Sequence, residues 1–313
     1  MSAQSSSGAI SGVFPVLPTP FDDNGKPDAA ALRVLVEYLI ASDVDGMTYP
    51  GVASEVGQLT SDERKELTAV VLSAVNGRVP VIAGVSSGQA SLTIELAKLA
   101  VQQGAAALMI AVPPDRKTAA AQIEYFAEIM AAVPDATIML QNVPQPVGAG
   151  LDPEVLIEIL EAVPSIRYVK EEALPSGQRL TVLRKRGPST LLGVFGGAGG
   201  RYITDELRRG ASGTMPAIEL AEVHATLYAA HRAGDSKMVR GLFTRMLPIL
   251  NVQAVFRWSL TKYVLHKRGL VPSMKQRTPG PLLDALDQAD VDDFLAAIDD
   301  LLLPESALPR AAK

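Results

Sequence analysis

The sequence predicts an α/β fold, a (β/α)8 barrel carrying a C-terminal helical extension. Three observations carry that expectation. Short apolar runs alternate with longer segments of helical period roughly eight times between residues 12 and 233. The runs are hydrophobic almost throughout rather than at every second position, the pattern of parallel strands covered on both faces. After residue 233 the strand signals stop and only helical patterns follow. Eight strand–helix units in about 220 residues match such a barrel in count and size. A doubly wound open sheet is the competing architecture, but no strand is followed by a clean dinucleotide fingerprint.

The expected strands are GVFPVLPTPF (12–21), GMTYPG (46–51), VPVIAGV (79–85), AALMIAVPP (106–114), TIMLQNV (137–143), IRYVKEE (166–172), LLGVFGG (191–197) and SGTMPA (212–217). The segments between them read as helices. In SDERKELTAVVLSAVNG, Ser61 stands as the N-cap, acidic residues fill the first turn and Gly77 marks the exit. In LDPEVLIEILEAVP, Asp152 caps, Pro153 takes the first helical position, and Val155, Leu156, Ile159, Leu160 and Val163 form one apolar stripe before Pro164. The expected boundaries are a flexible leader at 1–11, the barrel at 12–233, the helical extension at 234–303 and a frayed tail at 304–313.

Composition excludes several functions. The 313 residues are 48% hydrophobic, enough for a sizeable core. With 29 basic and 34 acidic residues the formal charge is -5, and no basic stripe appears, so nucleic acid and anionic membranes are poor partners. Cysteine is absent, which removes disulfides, thiolate metal sites and cysteine nucleophiles. No apolar run approaches the length of a membrane span, and the N-terminus has no targeting pattern, so a cytoplasmic location is expected. The three histidines, His224, His231 and His266, fall on expected helices and read as helix-surface residues, so neither a metal site nor a Ser-His-Asp triad is expected.

Barrel enzymes carry their chemistry at the C-terminal ends of the strands. Lys170 closes the apolar run Ile166–Val169 at such an end. Strand side chains alternate with period 2, so Lys170 and Glu172 share one face while Val169 and Glu171 share the other. An amine in a closed pocket can attack a carbonyl. In YPGVASE (49–55), Gly51 and small side chains let the backbone approach a ligand, and the Ala53 and Ser54 N–H groups with the Ser54 hydroxyl are candidates to hold a substrate carboxylate. GGAGG (196–200) invites a phosphate-loop reading, but no Lys-Ser pair follows, and glycine also simply makes room beside a substrate. Gly196 and Met215, at the ends of the seventh and eighth runs, complete the expected substrate-binding set.

TPF at 19–21, GVASE at 51–55, LQNVP at 140–144 and VKEEA at 169–173 together resemble the dihydrodipicolinate synthase and N-acetylneuraminate lyase superfamily of Schiff-base lyases. The likeness extends to KYVLHKRGLV (262–271) and so spans nearly the whole chain. It implies that Lys170 is the imine-forming lysine, that a 2-keto acid is the substrate, that no cofactor is needed and that the chain forms a homo-oligomer, usually a tetramer. The departures are informative. Gln141 stands where the family's catalytic tyrosine opens its Tyr-Asn-x-Pro motif, and glutamine cannot relay protons as a phenol does. Pro146 replaces the arginine of the synthase branch, Val52 and Ala53 replace its threonines, and Pro114 and Asp115 its adjacent tyrosines. The pattern of Gln141, Lys170 and Glu172 is instead similar to that of the L-2-keto-3-deoxyarabonate dehydratases, in which Glu172 would be the acid-base residue. A dehydratase of a 2-keto-3-deoxy sugar acid is therefore the expected activity. The alternatives are a pyruvate-releasing aldolase and an idle barrel that binds a keto acid.

Overall fold

Eight parallel strands follow one another in a single sheet in the computed structural model, which describes residues 9–310. They are β1 (Gly12–Val13), β2 (Met47–Tyr49), β3 (Val81–Gly84), β4 (Ala107–Ala111), β5 (Ile138–Asn142), β6 (Ile166–Glu171), β7 (Gly193–Gly196) and β8 (Gly213–Thr214). Each pairs with the next, β8 returns to β1, and the β1–β2 seam is closed by a bridge between Val16 and Thr48. The result is the (β/α)8 barrel expected from the alternation. β1 is far shorter than its apolar run because Pro15, Pro18 and Pro20 lack the N–H that a ladder needs. The chain there still follows the barrel, since the Leu17 N–H bonds the Thr48 carbonyl at 3.0 Å.

The strands alternate with α1 (Ala29–Ala41), α2 (Ser61–Val75), α3 (Ala90–Gln102), α4 (Ala119–Ala132), α5 (Pro153–Ala162), α6 (Ser176–Arg186), α7 (Ile203–Arg208) and α8 (Ala221–Arg232). Period 2 sorts the strand residues into two cores. Phe14, Val16, Ile82, Ala107, Met109, Met139, Tyr168, Phe195 and Met215 fill the barrel, with Phe195 edge-on to Phe14 and Tyr168 at 5.8 and 6.1 Å. Their outward neighbours, such as Val169 and Val194, join the larger core under the helices. The plugged interior forces any ligand to the mouth at the C-terminal ends of the strands.

The extension consists of α9 (Ser236–Phe256), α10 (Trp258–Lys267), an irregular crossing segment and α11 (Ala285–Ala296). It reaches back to the mouth: the Trp258 indole N–H donates to the Val52 carbonyl at 3.0 Å.

Some local readings change. The cap of α2 is Thr60 rather than Ser61, because the Thr60 hydroxyl accepts from the Glu63 N–H while the Glu63 carboxylate accepts from the Thr60 N–H, a reciprocal box. Residues 1–8 of the expected leader lie outside the described residues, but Ile10 packs on the barrel core and its N–H bonds the Tyr168 hydroxyl at 2.8 Å. Leu308 likewise packs on the main core, so the tail is attached at least that far; 311–313 lie outside the described residues. His224 is buried rather than on the surface: one ring nitrogen bonds the Leu220 carbonyl at 2.9 Å, and burial lowers its pKa to about 4. Its ring backs directly against Gly200.

Candidate active site

β6 delivers both Lys170 and Glu171, and its period-2 pleat separates them. Lys170, 4% exposed, points into the mouth, whereas Glu171 is sealed behind the sheet. There Glu171 accepts from Asn142 of β5 at 3.0 Å and from the Ala173 N–H at 2.8 Å, with Arg179 of α6 at 3.4 Å. Burial raises its pKa to about 7 against the opposing pull of Arg179 and Asn142. Glu171 is thus a clamp that holds the ends of β5 and β6 together, immediately below the chemistry.

Glu172 returns to the Lys170 face. Lys170 Nζ lies 3.3 Å from Glu172 Oε1, Gln141 Nε2 donates to Oε2 at 2.6 Å, and the Ala198 N–H donates to Oε1 at 3.1 Å. Burial pushes the Glu172 carboxyl up, but the Lys170 charge and these hydrogen bonds more than offset it and hold the group below the usual carboxylate range. The carboxylate is therefore ionised at rest. Gly197 makes the approach possible, since a β-carbon there would come within 2.5 Å of Glu172 Oε1.

The loop of glycines after β7 thus cradles an anion, but that anion is the chain's own Glu172. Ala198, Gly199 and Gly200 all have positive φ, which turns the Ala198 N–H toward the carboxylate. Gly196 does not face the cavity, contrary to the reading from sequence. A β-carbon there would meet Glu206 Oε2 of α7 at 1.7 Å, so Gly196 makes room for a buried carboxylate behind the sheet. Ala198 and Gly199 line the cavity instead.

Ser54 also differs from expectation. Its hydroxyl donates to the Leu17 carbonyl and accepts from the Gly51 N–H, and its own N–H bonds the Gly51 carbonyl at 3.0 Å. Both Ser54 groups assigned to a substrate carboxylate are spent on shaping the loop after β2. Gly51 borders a smaller neighbouring cavity, of about 200 Å³, whose wall includes Gln141. Ala53 and Met215 do line the main cavity.

That cavity, of about 340 Å³, has Lys170 and Glu172 among its lining residues. Val143 to Val147, from the loop after β5, form one wall. Sequence reasoning missed the other: Arg201 and Tyr202 after β7, with Gln253, Arg257, Trp258 and Thr261 from the extension. Arg201 Nη1 donates to Gln253 Oε1 at 2.6 Å. Among the described residues no group of three His, Cys, Asp or Glu side chains is arranged to hold a metal. No helix there is long and apolar enough to cross a membrane.

Comparison with known proteins agrees with this architecture. The chain is 29% identical to an L-2-keto-3-deoxyarabonate dehydratase of Azospirillum brasilense, over 93% of this chain and 96% of that protein. It is 30% identical to a 4-hydroxy-tetrahydrodipicolinate synthase of Maridesulfovibrio salexigens, over 78% and 83%. The fold superimposes on a dihydrodipicolinate synthase of Rhodopseudomonas palustris with a TM-score of 0.86 at 29% identity, covering 92% of this chain and 97% of that one. The model of the dihydrodipicolinate synthetase family matches residues 9–298, and the chain, with its strand-end lysine inside a (β/α)8 barrel, belongs to that family of lyases.

Proposed function

We propose that the protein is a Schiff-base dehydratase of a 2-keto-3-deoxy sugar acid. The observation that carries this reading is the Lys170–Glu172 pair at 3.3 Å, buried in the mouth with a non-ionising Gln141 beside it. The whole-length likeness to a dehydratase supports it.

Glu172 is within reach to take a proton from the Lys170 ammonium, and the free amine adds to the substrate C2 carbonyl. Glu172 returns that proton to the C2 hydroxyl of the adduct, which departs as water and leaves an iminium beside an ionised Glu172. Glu172 then removes a C3 proton, the electron pair moves to form the enamine, and the nitrogen becomes neutral. At that moment the positive charge that held the Glu172 carboxyl low is gone, so burial raises its affinity for the proton and keeps it in the acid form until the C4 oxygen takes that proton. It returns the proton to the C4 hydroxyl, which departs as water as the C3–C4 double bond forms and the iminium reappears. Proton shifts move that double bond to C4–C5, where the C5 carbinol becomes a carbonyl, and hydrolysis of the iminium frees Lys170 and a 2-keto acid with a second carbonyl at C5, an α-keto acid semialdehyde where C5 ends the chain. Gln141 orients Glu172 and carries no proton, because an amide has no useful pKa near neutrality.

Borohydride reduction in the presence of substrate should add its mass to the peptide containing Lys170. Glu172→Gln should slow turnover by about 10²- to 10⁴-fold yet still permit trapping at a reduced rate, since water can take the Lys170 proton whereas C3 proton transfer needs a base held at that carbon. Trapping at another residue, or release of pyruvate from the best substrate, would replace the reading; pyruvate would mark aldol cleavage.

A further inference from the structure

The charge in the cavity does not balance. Among the described residues that line it, Glu172 is the only carboxylate, against the three cations Lys170, Arg201 and Arg257. Lys170 is paired with Glu172. Neither arginine lies within ion-pair distance of any carboxylate among the described residues. Glu219, the buried acid that feels the Arg201 charge, is engaged with the Thr261 hydroxyl at 2.9 Å. Among the described residues, therefore, no carboxylate is in ion-pair contact with either charge at the cavity.

Arg201 is fixed through its side chain, whereas Arg257 is exposed and is placed by its backbone. Arg201 is held by the buried Gln253 of α9, and Gly199 is what lets them meet: a β-carbon there would lie 2.7 Å from Gln253 Oε1 and 3.2 Å from Arg201 Nη1. Arg257 occupies the break between α9 and α10 with φ of 42°, a conformation that costs energy in a non-glycine residue. That break points the chain toward the cavity, and the Arg257 guanidinium lies over the Trp258 ring at 5.9 Å. Two arginines that line one cavity without an acid partner suit recognition of carboxylate or phosphate oxygens.

We propose that Arg201 and Arg257 bind a second anionic group at the end of the substrate remote from its keto carbon. The substrate is then a dianion, a 2-keto-3-deoxy acid ending in a carboxylate or a phosphate. Its own 1-carboxylate is one bond from the carbon that must reach Lys170, so it stays beside that residue and leaves the arginines for the far end. This inference rests on the Schiff-base reading for the orientation of the substrate, but binding can be measured without the chemistry.

The Lys170→Ala variant, which cannot form an imine, should bind 2-oxoadipate about 10- to 100-fold more tightly than 2-oxohexanoate in calorimetric titration at low salt, the range for charge-assisted contacts. Adding Arg201→Gln and Arg257→Gln should shrink that preference below about 3-fold, and raising the salt should weaken it. If Lys170→Ala does not fold, the rise in wild-type melting temperature with glutarate against that with pentanoate reads the same preference. Equal binding of the two acids, or a preference that survives the arginine changes, overturns the proposal. Turnover of a 2-keto-3-deoxyhexonate, its 6-phosphate and the corresponding hexarate then separates the two anions: preference for either charged substrate supports the proposal, and preference for the uncharged end overturns it. Pyruvate release or trapping away from Lys170 would refute the dehydratase reading while leaving the binding result intact.

Discussion

Glu172 and Glu206 show how one residue type takes opposite ionisation behaviour against two adjacent glycines, Gly197 and Gly196. Glu172 is held low by Lys170 and its hydrogen bonds, so the acid limb of kcat/KM should fall below pH 4.5, and Glu172→Gln should abolish that limb along with most of the rate. Glu206 is buried with one oxygen on the Ser176 hydroxyl at 2.7 Å and the other without a partner among the described residues. Burial raises its pKa to about 7, the Ser176 bond opposing and the charges of Glu172, Asp205 and Glu171 adding to it. Because the folded value lies above the unfolded one, near 4.5, its contribution to stability is full below pH 4.5 and is lost as pH rises through 7. The loss is on the order of 3 kcal/mol. Glu206→Gln, which keeps the Ser176 contact, should therefore raise the melting temperature at pH 8 much more than at pH 5. An equal shift at both would show that Glu206 does not change its protonation on folding.

At the scale of elements, the strands were legible because burial on both faces makes continuous apolar runs, and the Lys170 face followed from period 2 alone. Caps were less legible by one residue: Thr60 and Ser61 are both good caps, and only the reciprocal partner Glu63, three residues beyond Thr60, decides between them. Thr60→Ala should cost about 1 kcal/mol in denaturant unfolding, and Ser61→Ala much less. The loops were hardest to read. Ser54 was legible as a polar residue at a strand end, but that its hydroxyl turns to Leu17 depends on a contact 37 positions away. Arg201 and Arg257 had no local signal, because they meet the cavity from a glycine-rich loop and from a helix break 56 positions apart in the numbering. Gly199, read as room for a substrate, makes room for the Arg201–Gln253 pair.

At the scale of the molecule, the extension completes the mouth of the barrel, and a buried ion pair joins the two. Lys262 of α10 lies 2.5 Å from Glu55, the left-handed residue between the two short helical turns of the loop after β2. Both are almost fully buried, and Glu55 also accepts from the N–H groups of Arg277 and Thr278 at 2.7 and 2.6 Å. Phe21 lies between the two cations, 4.3 Å from Lys262 and 4.6 Å from Arg277. Desolvation lowers the Lys262 pKa to about 8, with Glu55 opposing, so the lysine keeps its charge at neutral pH mainly through that carboxylate. Removing one partner strands the other in a dry site, which costs about 3–5 kcal/mol, whereas replacing both with apolar groups can be nearly neutral. Lys262→Met should accordingly destabilise the protein in that range, and Glu55→Gln should cost less, because the amide can still meet a lysine that is able to release its proton. The Lys262→Met/Glu55→Gln double variant should lose less stability than the two single losses added. The turn that Glu55 closes carries Val52 and Ala53 of the cavity wall, so Lys262→Met should also show a higher KM with kcat less affected. Strict additivity of the losses would mean that the pair does not act as a unit, and an unchanged KM would mean that α10 holds the loop through the Trp258–Val52 bond alone.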